Sequence, residues 1–201
     1  YIFHNIYIKH KYLIKKKSYS MEGEDLIILN LAQKISNGFY VDVGGYHPIH
    51  LNNTFLLFKK NWSGINIDLS EFSISLFDFM RPKDVNINTA ISNEEKDIIF
   101  YYQKRMQGEI KEKKIRSLKL NTILNNSKFK NRRIDFLNID IEGADFEAIQ
   151  SLDFEIYKPS IICIEINELN VLKSQTYNYL TKKGYKMIWS SKSNLSHIFT
   201  N

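Results

Sequence analysis

Three short segments carry the residue types that do chemistry, and each stands at the end of a stretch that reads as a β-strand. The first is Val41-Asp42-Val43-Gly44-Gly45-Tyr46-His47-Pro48. Paired glycines after a strand let a ligand approach the backbone closely, and an acid inside the strand can fix the loop or accept from a ligand amine. A plain tight turn between strand and helix reads the same way. The second is Asp68, which ends the next strand 23 residues after Gly45. An acid there suits hydrogen bonds from both hydroxyls of a ribose. Taken alone it is as often a helix N-terminal acid; with the glycine turn one βα unit earlier it indicates a nucleoside cofactor. The G-x-G-x-x-G dinucleotide fingerprint is missing, and Tyr46, His47 and Pro48 crowd the place of a pyrophosphate, so a ligand with a ribose and no pyrophosphate fits better.

The third segment is Phe136-Leu137-Asn138-Ile139-Asp140-Ile141-Glu142-Gly143-Ala144-Asp145. Its apolar-polar alternation places Asn138, Asp140 and Glu142 on one face of a predicted strand. Two carboxylates at such an edge can bind a cation, hold a sugar hydroxyl or act as a base. Glu142 and Asp145 can equally cap the helix that follows. His47, at the mouth of the first loop, is a third candidate base, whereas His4, His10 and His197 read as structural or exposed and His50 as starting the helix after the loop.

These segments need a scaffold that brings strand ends together. Helices are predicted from Glu22 to Asn37, from Asn52 to Lys60, from Glu71 to Met80, from Leu118 to Leu124, from Ala144 to Leu152, and from Leu172 to Lys183 before Gly184. Strands are predicted at Phe39–Val43, Gly64–Asp68, Val85–Ile91, Ile98–Tyr102, Ile134–Ile141, Ser160–Ile166, Tyr185–Trp189 and His197–Thr200. Repeated βα units with fully apolar strands imply an α/β fold with a parallel sheet covered on both faces, and the last two strands are expected to pair as an antiparallel hairpin. Gly108 to Lys114 reads as a polar, lysine-rich stretch. In doubly wound sheets the ligand lies at the carboxyl ends of the strands, where their order reverses.

Composition narrows the class. At 201 residues, with 43% hydrophobic and 25% charged residues, the chain supports one domain with a substantial core. Its one cysteine, Cys163 in Ile161-Ile162-Cys163-Ile164, excludes a disulfide framework or a cysteine zinc cluster and reads as a core thiol. No run approaches the roughly 18 apolar residues of a membrane span, and a cytoplasmic protein is the expectation. The net charge of +6 is uneven: Lys9, Lys11, Lys15, Lys16 and Lys17 lie in residues 1–20 without an acid, and the rest holds 23 basic against 22 acidic residues. Residues 1–20 therefore read as a basic arm, apolar enough through Ile2, Phe3, Ile6, Tyr12, Leu13 and Ile14 that part of it should pack, and residues 21–201 as the catalytic domain. A nearly neutral body speaks against nucleic acid as a partner. The lysines from Lys111 to Arg133 read as a solvated loop or, if functional, as flanking an acidic acceptor, with Tyr101 and Tyr102 able to stack on a sugar ring.

At this point the ordered motifs resemble the FkbM-type S-adenosylmethionine-dependent methyltransferases. The resemblance runs from Tyr19 to the end: Tyr19-Ser20-Met21-Glu22-Gly23-Glu24-Asp25-Leu26, the loop from Gly38 to Pro48, Asn52-Asn53-Thr54, Trp62 to Asp68, Asn88-Thr89-Ala90-Ile91-Ser92 and Phe136 to Gly143. Met21 stands where the family usually has Gln, and Asn138 where many members have Lys. The resemblance implies a Rossmann-like seven-stranded class I methyltransferase fold, mostly parallel with a C-terminal antiparallel hairpin. It implies S-adenosylmethionine as cofactor and methyl transfer to a hydroxyl of a sugar or related small-molecule or glycan acceptor. By position it implies Asp42, Gly44 and Gly45 around the methionine portion, Asp68 on the ribose, Ala90, Ile91 and Ser92 at the adenine edge, and Glu24 and Asp140 near the amino group or reacting centre. Tyr46, Asn53 and Leu69 join them as cofactor neighbours. Asp140, Glu142 and His47 are the candidate base residues for in-line transfer, a divalent cation is left open, and the rival reading is a catalytically inactive scaffold of the same fold.

Overall fold

The computed structural model of the protein describes residues 1–10, 14–103 and 110–201. Lys11, Tyr12 and Leu13 of the arm, Gly108 of the lysine-rich stretch, and the side chains of Tyr102 and Lys111 lie outside the described residues.

Among the described residues ten strands form two sheets: β1 (Phe39–Val43), β2 (Ser63–Asp68), β3 (Val85–Asn88), β4 (Ala90–Ile91), β5 (Asp97–Gln103), β6 (Ile110–Leu118), β7 (Phe136–Ile139), β8 (Ile161–Glu165), β9 (Lys186–Ser190) and β10 (Ser196–Thr200). The main sheet has seven strands in the order β3-β2-β1-β7-β8-β10-β9. β1 pairs parallel with both β2 and β7, so the strand order reverses there. β10 runs antiparallel to β8 and to β9, the predicted hairpin. The second sheet, β4-β6-β5, is built on an antiparallel ribbon in which Asp97 faces Arg116 and Ile99 faces Lys114.

Seven helices cover the main sheet: α1 (Glu24–Leu31), α2 (Phe55–Phe58), α3 (Glu71–Met80), α4 (Leu120–Asn126), α5 (Asp145–Gln150), α6 (Phe154–Tyr157) and α7 (Gln175–Lys182). Side chains alternate across a strand, and that alternation divides the core. Phe39, Val41, Val43, Leu137 and Ile139 pack with Leu120, Ile123, Ala148, Ile149 and Leu180 on one face. Tyr40, Phe136 and Cys163 pack with Ile28 of α1 and Leu57 of α2 on the other. All five residues of β1 are buried, as a central strand covered on both faces requires.

Several elements differ from the pattern read in the sequence. α1 ends at Leu31 and continues as turns to Lys34, and α2 is one turn long. The Val85–Ile91 stretch divides between two sheets at Thr89, whose hydroxyl donates to the Arg116 carbonyl at 2.8 Å. The lysine-rich stretch is mostly strand, β6: a ribbon with one face in solvent tolerates lysines, and Lys114 pairs with Asp97 at 2.7 Å. β7 stops at Ile139, so Asp140 lies just beyond the strand and Glu142 sits in a turn with φ +53°.

Part of the N-terminal arm packs. A π-helical turn, His4–Lys9, buries Ile6 against Tyr19, Ile49, Phe55 and Leu76. No helix among the described residues is long and apolar enough to cross a membrane.

Beneath the sheet, on the α1/α2 face, a buried polar layer ties three loops together. Arg81, 1% exposed at the end of α3, donates to Thr54 Oγ1 at 2.8 Å, Asn52 Oδ1 at 2.9 Å, Tyr40 Oη at 3.1 Å and the Pro48 carbonyl. Its guanidinium lies 5.0 Å from the rings of Phe58 and Phe77. Asn52 and Thr54 in turn donate to Asp42 Oδ2 at 3.1 and 2.9 Å.

Candidate functional site

The crevice expected at a strand-order reversal lies between the carboxyl ends of β1 and β7. It holds a cavity of about 300 Å³ walled by Gly44 and Tyr46 after β1, Asp68 and Leu69 after β2, Ala90 and Ile91 of β4, and Asp140 and Glu142 after β7. Eight of the sequence-selected residues thus meet here from four strand ends.

Backbone conformation shapes this space. Gly44 has φ +82° and lies so close to β7 that a β-carbon on it would stand 1.8 Å from the Asp140 carbonyl oxygen. The Asp140 amide completes the contact by donating to the Val43 carbonyl at 3.0 Å. Tyr46 and Glu142, at φ +51° and +53°, face each other across the same crevice in the left-handed region that non-glycine residues seldom occupy. Such conformations cost of order 1–3 kcal/mol and gather at ligand sites. Gly44→Ala meets both the φ and the close approach, and the added strain should cost about 1–3 kcal/mol of folding free energy. Urea denaturation of the purified variant measures this; wild-type stability would show that the loop relaxes freely.

Asp68 holds the loop as well as facing the cavity. Its Oδ2 accepts from the Tyr46 amide at 2.8 Å and its Oδ1 from the Ser70 amide at 2.7 Å. Burial raises its pKa above the usual carboxylate value, against the lowering effect of those two amides. Each oxygen retains a second lone pair for a ligand hydroxyl.

Asp140 is the carboxylate of this wall with a strongly altered acidity. Desolvation in the cavity wall raises its pKa to about 7, helped by the carboxylates of Glu165, Asp145, Asp42 and Glu142. Its side chain is open to solvent on one side, so the surrounding carboxylates are the part of this cause that persists when the pocket is wet. Glu165, at the end of β8, adds its charge to the carboxylates acting on Asp140, and its own pKa is raised by burial and by Asp145 and Glu142. Glu165 Oε2 is buried without a partner among the described residues. The sequence reading passed over Glu165, although the rule that selected Asp68, an acid closing an otherwise apolar strand, applies to it equally.

The other selected residues lie around the cavity rather than in its wall. Asp42 is fully buried; Asn138 Nδ2 donates to its Oδ1 at 2.9 Å, and burial raises its pKa against the pull of Arg81. Gly45 packs on Phe77, 2.9 Å from a β-carbon built there. Asn53 donates to Asn138 Oδ1 at 2.9 Å, and buried Glu24 accepts from the Glu22 amide at 2.7 Å. Ser92 follows β4, its amide donating to the Leu118 carbonyl at 3.1 Å. His47 turns away from this cavity: its ring is 3% exposed and packs edge-on to His10 at 4.4 Å. Burial, followed by the charges of His10, His50, Arg81 and Lys9, lowers its pKa to about 3. Among the described residues no group of three or more His, Cys, Asp or Glu is placed to hold a metal ion.

Comparison with known proteins agrees with this geometry. The family described as Methyltransferase FkbM domain matches residues 104–187. Among solved structures, the methyltransferase FkbM from Methylobacillus flagellatus KT is similar at a TM-score of 0.64 and 12% identity over 91% of this chain and 48% of that one. The chain therefore spans about half the length of that protein. Precorrin 8W decarboxylase from Methanobacterium thermoautotrophicum is similar at a TM-score of 0.50 and 15% identity, over 94% of this chain and 96% of that one. At these identities the likeness is one of fold. No curated protein matches in sequence. The family match takes in the Phe136–Gly143 segment, the likeness of fold covers most of the chain, and the resemblance of this chain to the FkbM-type methyltransferases holds.

Proposed function

We propose that the protein transfers a methyl group from S-adenosylmethionine to a hydroxyl of a sugar or related glycan acceptor, with residues 21–201 as the catalytic domain and residues 1–20 as an arm. The observation that supports this best is the convergence of Gly44, Asp68, Ala90, Ile91 and Asp140 on one cavity at the strand-order reversal. The cavity suits the cofactor on its own geometry: it lies at the strand-order reversal, and Asp68 at its wall offers two acceptor oxygens. Gly44 and Tyr46 would border the methionine portion, Asp68 would accept from the ribose, and Leu69, Ala90 and Ile91 would flank the adenine.

S-adenosylmethionine, when bound, supplies an electrophilic methyl carbon. The chain's own contribution is to hold an acceptor oxygen in place, exclude water and take a proton. Asp140 is the group for the last task, because a base is most effective when its pKa lies near the working pH. Glu165 acts on it through its charge, the second-largest cause that raises the Asp140 pKa.

Calorimetric titration with S-adenosylmethionine and S-adenosylhomocysteine tests the cofactor, and transfer of labelled methyl to a panel of sugars and nucleotide sugars tests the acceptor. Binding without transfer to any sugar would leave the cofactor and remove the acceptor class; a folded protein that binds neither would favour the scaffold reading. Asp68→Ala removes two charged hydrogen bonds to the ribose, at about 1.5–3 kcal/mol for each bond to a charged group. The expected result is at least a ten-fold loss of S-adenosylhomocysteine affinity and a smaller loss of folding free energy. Equal losses would make Asp68 a loop anchor only.

A further inference from the structure

A second, larger cavity of about 560 Å³ lies beyond Tyr46, Asp68 and Leu69, the three residues it shares with the first. Four parts of the chain separated in sequence build it: the N-terminal segment at Lys9 and His10, the β1–α2 loop at His47, the first turn of α3 at Phe72, and the β5–β6 ribbon at Phe100 and Lys113.

His47 gives this space its chemistry. Its Nδ1 accepts from the amides of Ile49 and His50, both at 3.1 Å. A ring nitrogen that accepts carries no proton, so the proton of this neutral imidazole is on Nε2. That Nε2–H is buried and has no acceptor among the described residues. A buried donor left unpaired costs about 1–3 kcal/mol, and beside a cavity the economical explanation is an oxygen brought by a ligand. Of the two carboxylates in the wall, Glu71 pairs with Lys113, and Asp68, shared with the first cavity, accepts from the Tyr46 and Ser70 amides. Lys9 has no acidic partner among the described residues. The lining therefore includes a neutral donor, His47 Nε2–H, and a cation, Lys9, together with the rings of Tyr46 and Phe72.

From this arrangement we infer that the second cavity binds the phosphate-bearing part of a sugar acceptor, with His47 Nε2–H donating to one of its oxygens and Lys9 balancing its charge. An aromatic wall suits the apolar face of a sugar ring, and a lysine suits a phosphate. The inference rests on the methyl-transfer reading above and extends it: the phosphorylated portion occupies this cavity while the reacting hydroxyl lies on the Asp140 side of Tyr46.

The test uses the full chain, labelled with ¹⁵N, and follows the histidine ring resonances during titration with glucose 1-phosphate, glucose and inorganic phosphate, each run also with S-adenosylhomocysteine. The expected result is a saturable shift of the His47 Nε2 signal with glucose 1-phosphate, at lower concentration than with either glucose or phosphate. Lys9→Glu, a change at an exposed side chain, is expected to weaken that binding about ten-fold, the equivalent of about 1.4 kcal/mol, with S-adenosylhomocysteine affinity unchanged. S-adenosylhomocysteine binding without any sugar-phosphate shift at His47 would overturn the second cavity's role while the cofactor site stands. Equal shifts with phosphate alone would reduce the cavity to an anion site and overturn the sugar class. An unchanged affinity in Lys9→Glu would overturn the phosphate assignment. A His47 shift in a protein that fails to bind S-adenosylhomocysteine would uphold this cavity as a ligand site and overturn the methyl-transfer reading.

Discussion

Asp140→Asn is expected to lower turnover by about 10²–10⁴-fold with S-adenosylhomocysteine affinity nearly unchanged. The amide keeps the shape and the wall contact but cannot take a proton. The pH profile is a sharper readout than the rate. A base works when deprotonated, so kcat should rise with pH through the Asp140 pKa of about 7 and level off above it. Glu165→Gln removes the second-largest cause of that elevation, after desolvation, and should move the midpoint to lower pH. A profile flat between pH 5 and 8, or a midpoint indifferent to Glu165, would remove Asp140 as the base. The same raised pKa has an opposite consequence for stability. Between the ordinary carboxylate value of 3.8 and about 7 the folded protein holds this proton more tightly than the unfolded chain, so its stabilising contribution is complete at low pH and is lost as pH rises through 7.

Arg81→Leu is expected to cost about 3–5 kcal/mol, the range for breaking a buried charged network by removing one member. Leucine refills part of the volume among Phe58 and Phe77 but leaves Thr54 Oγ1, Asn52 Oδ1, Tyr40 Oη and the Pro48 carbonyl without their donor. Asn52 and Thr54 both donate to Asp42, so the loss should spread to the β1–α2 loop and weaken S-adenosylhomocysteine binding as well. Urea denaturation gives the free energy, and the midpoint should fall with little change in slope. A loss below about 1 kcal/mol would mean that water replaces the guanidinium and that the layer is not a closed network.

Much of the candidate site was legible because its signals are local. A buried strand followed by Gly44-Gly45, an acid closing β2 and an alternating segment ending at Asp140 are patterns of a few residues, and the βα rhythm then implies that they share one sheet edge. The β7 reading carried the alternation too far. It treated Glu142 as a strand residue in line with Asp140, whereas the close packing of Gly44 against the Asp140 carbonyl ends the strand and turns Glu142 into the left-handed region. β6 was missed because lysines mark solvent, and solvent on one face is compatible with a ribbon as well as a loop.

His47 shows the other limit. Its sequence position beside the glycine turn placed it among the candidate bases, yet two backbone amides donate to its Nδ1, its Nε2 is buried without a partner among the described residues, and the residue lines the second cavity. The partners that build that cavity come from residues 1–10, from α3 and from the β5–β6 ribbon. The sequence by itself determined the fold class, the three strand-end clusters and the methyltransferase resemblance, since periodicity and turn chemistry are written within a few residues of each position. Only the tertiary structure decided that Asp42 and Asn53 support the site from below, that Glu165 joins Asp140, that Arg81 binds three loops, and that His47 opens on a cavity of its own. Those outcomes depend on desolvation and on contacts between elements far apart in the chain, and neither quantity exists until the sheet and its covering layers have closed.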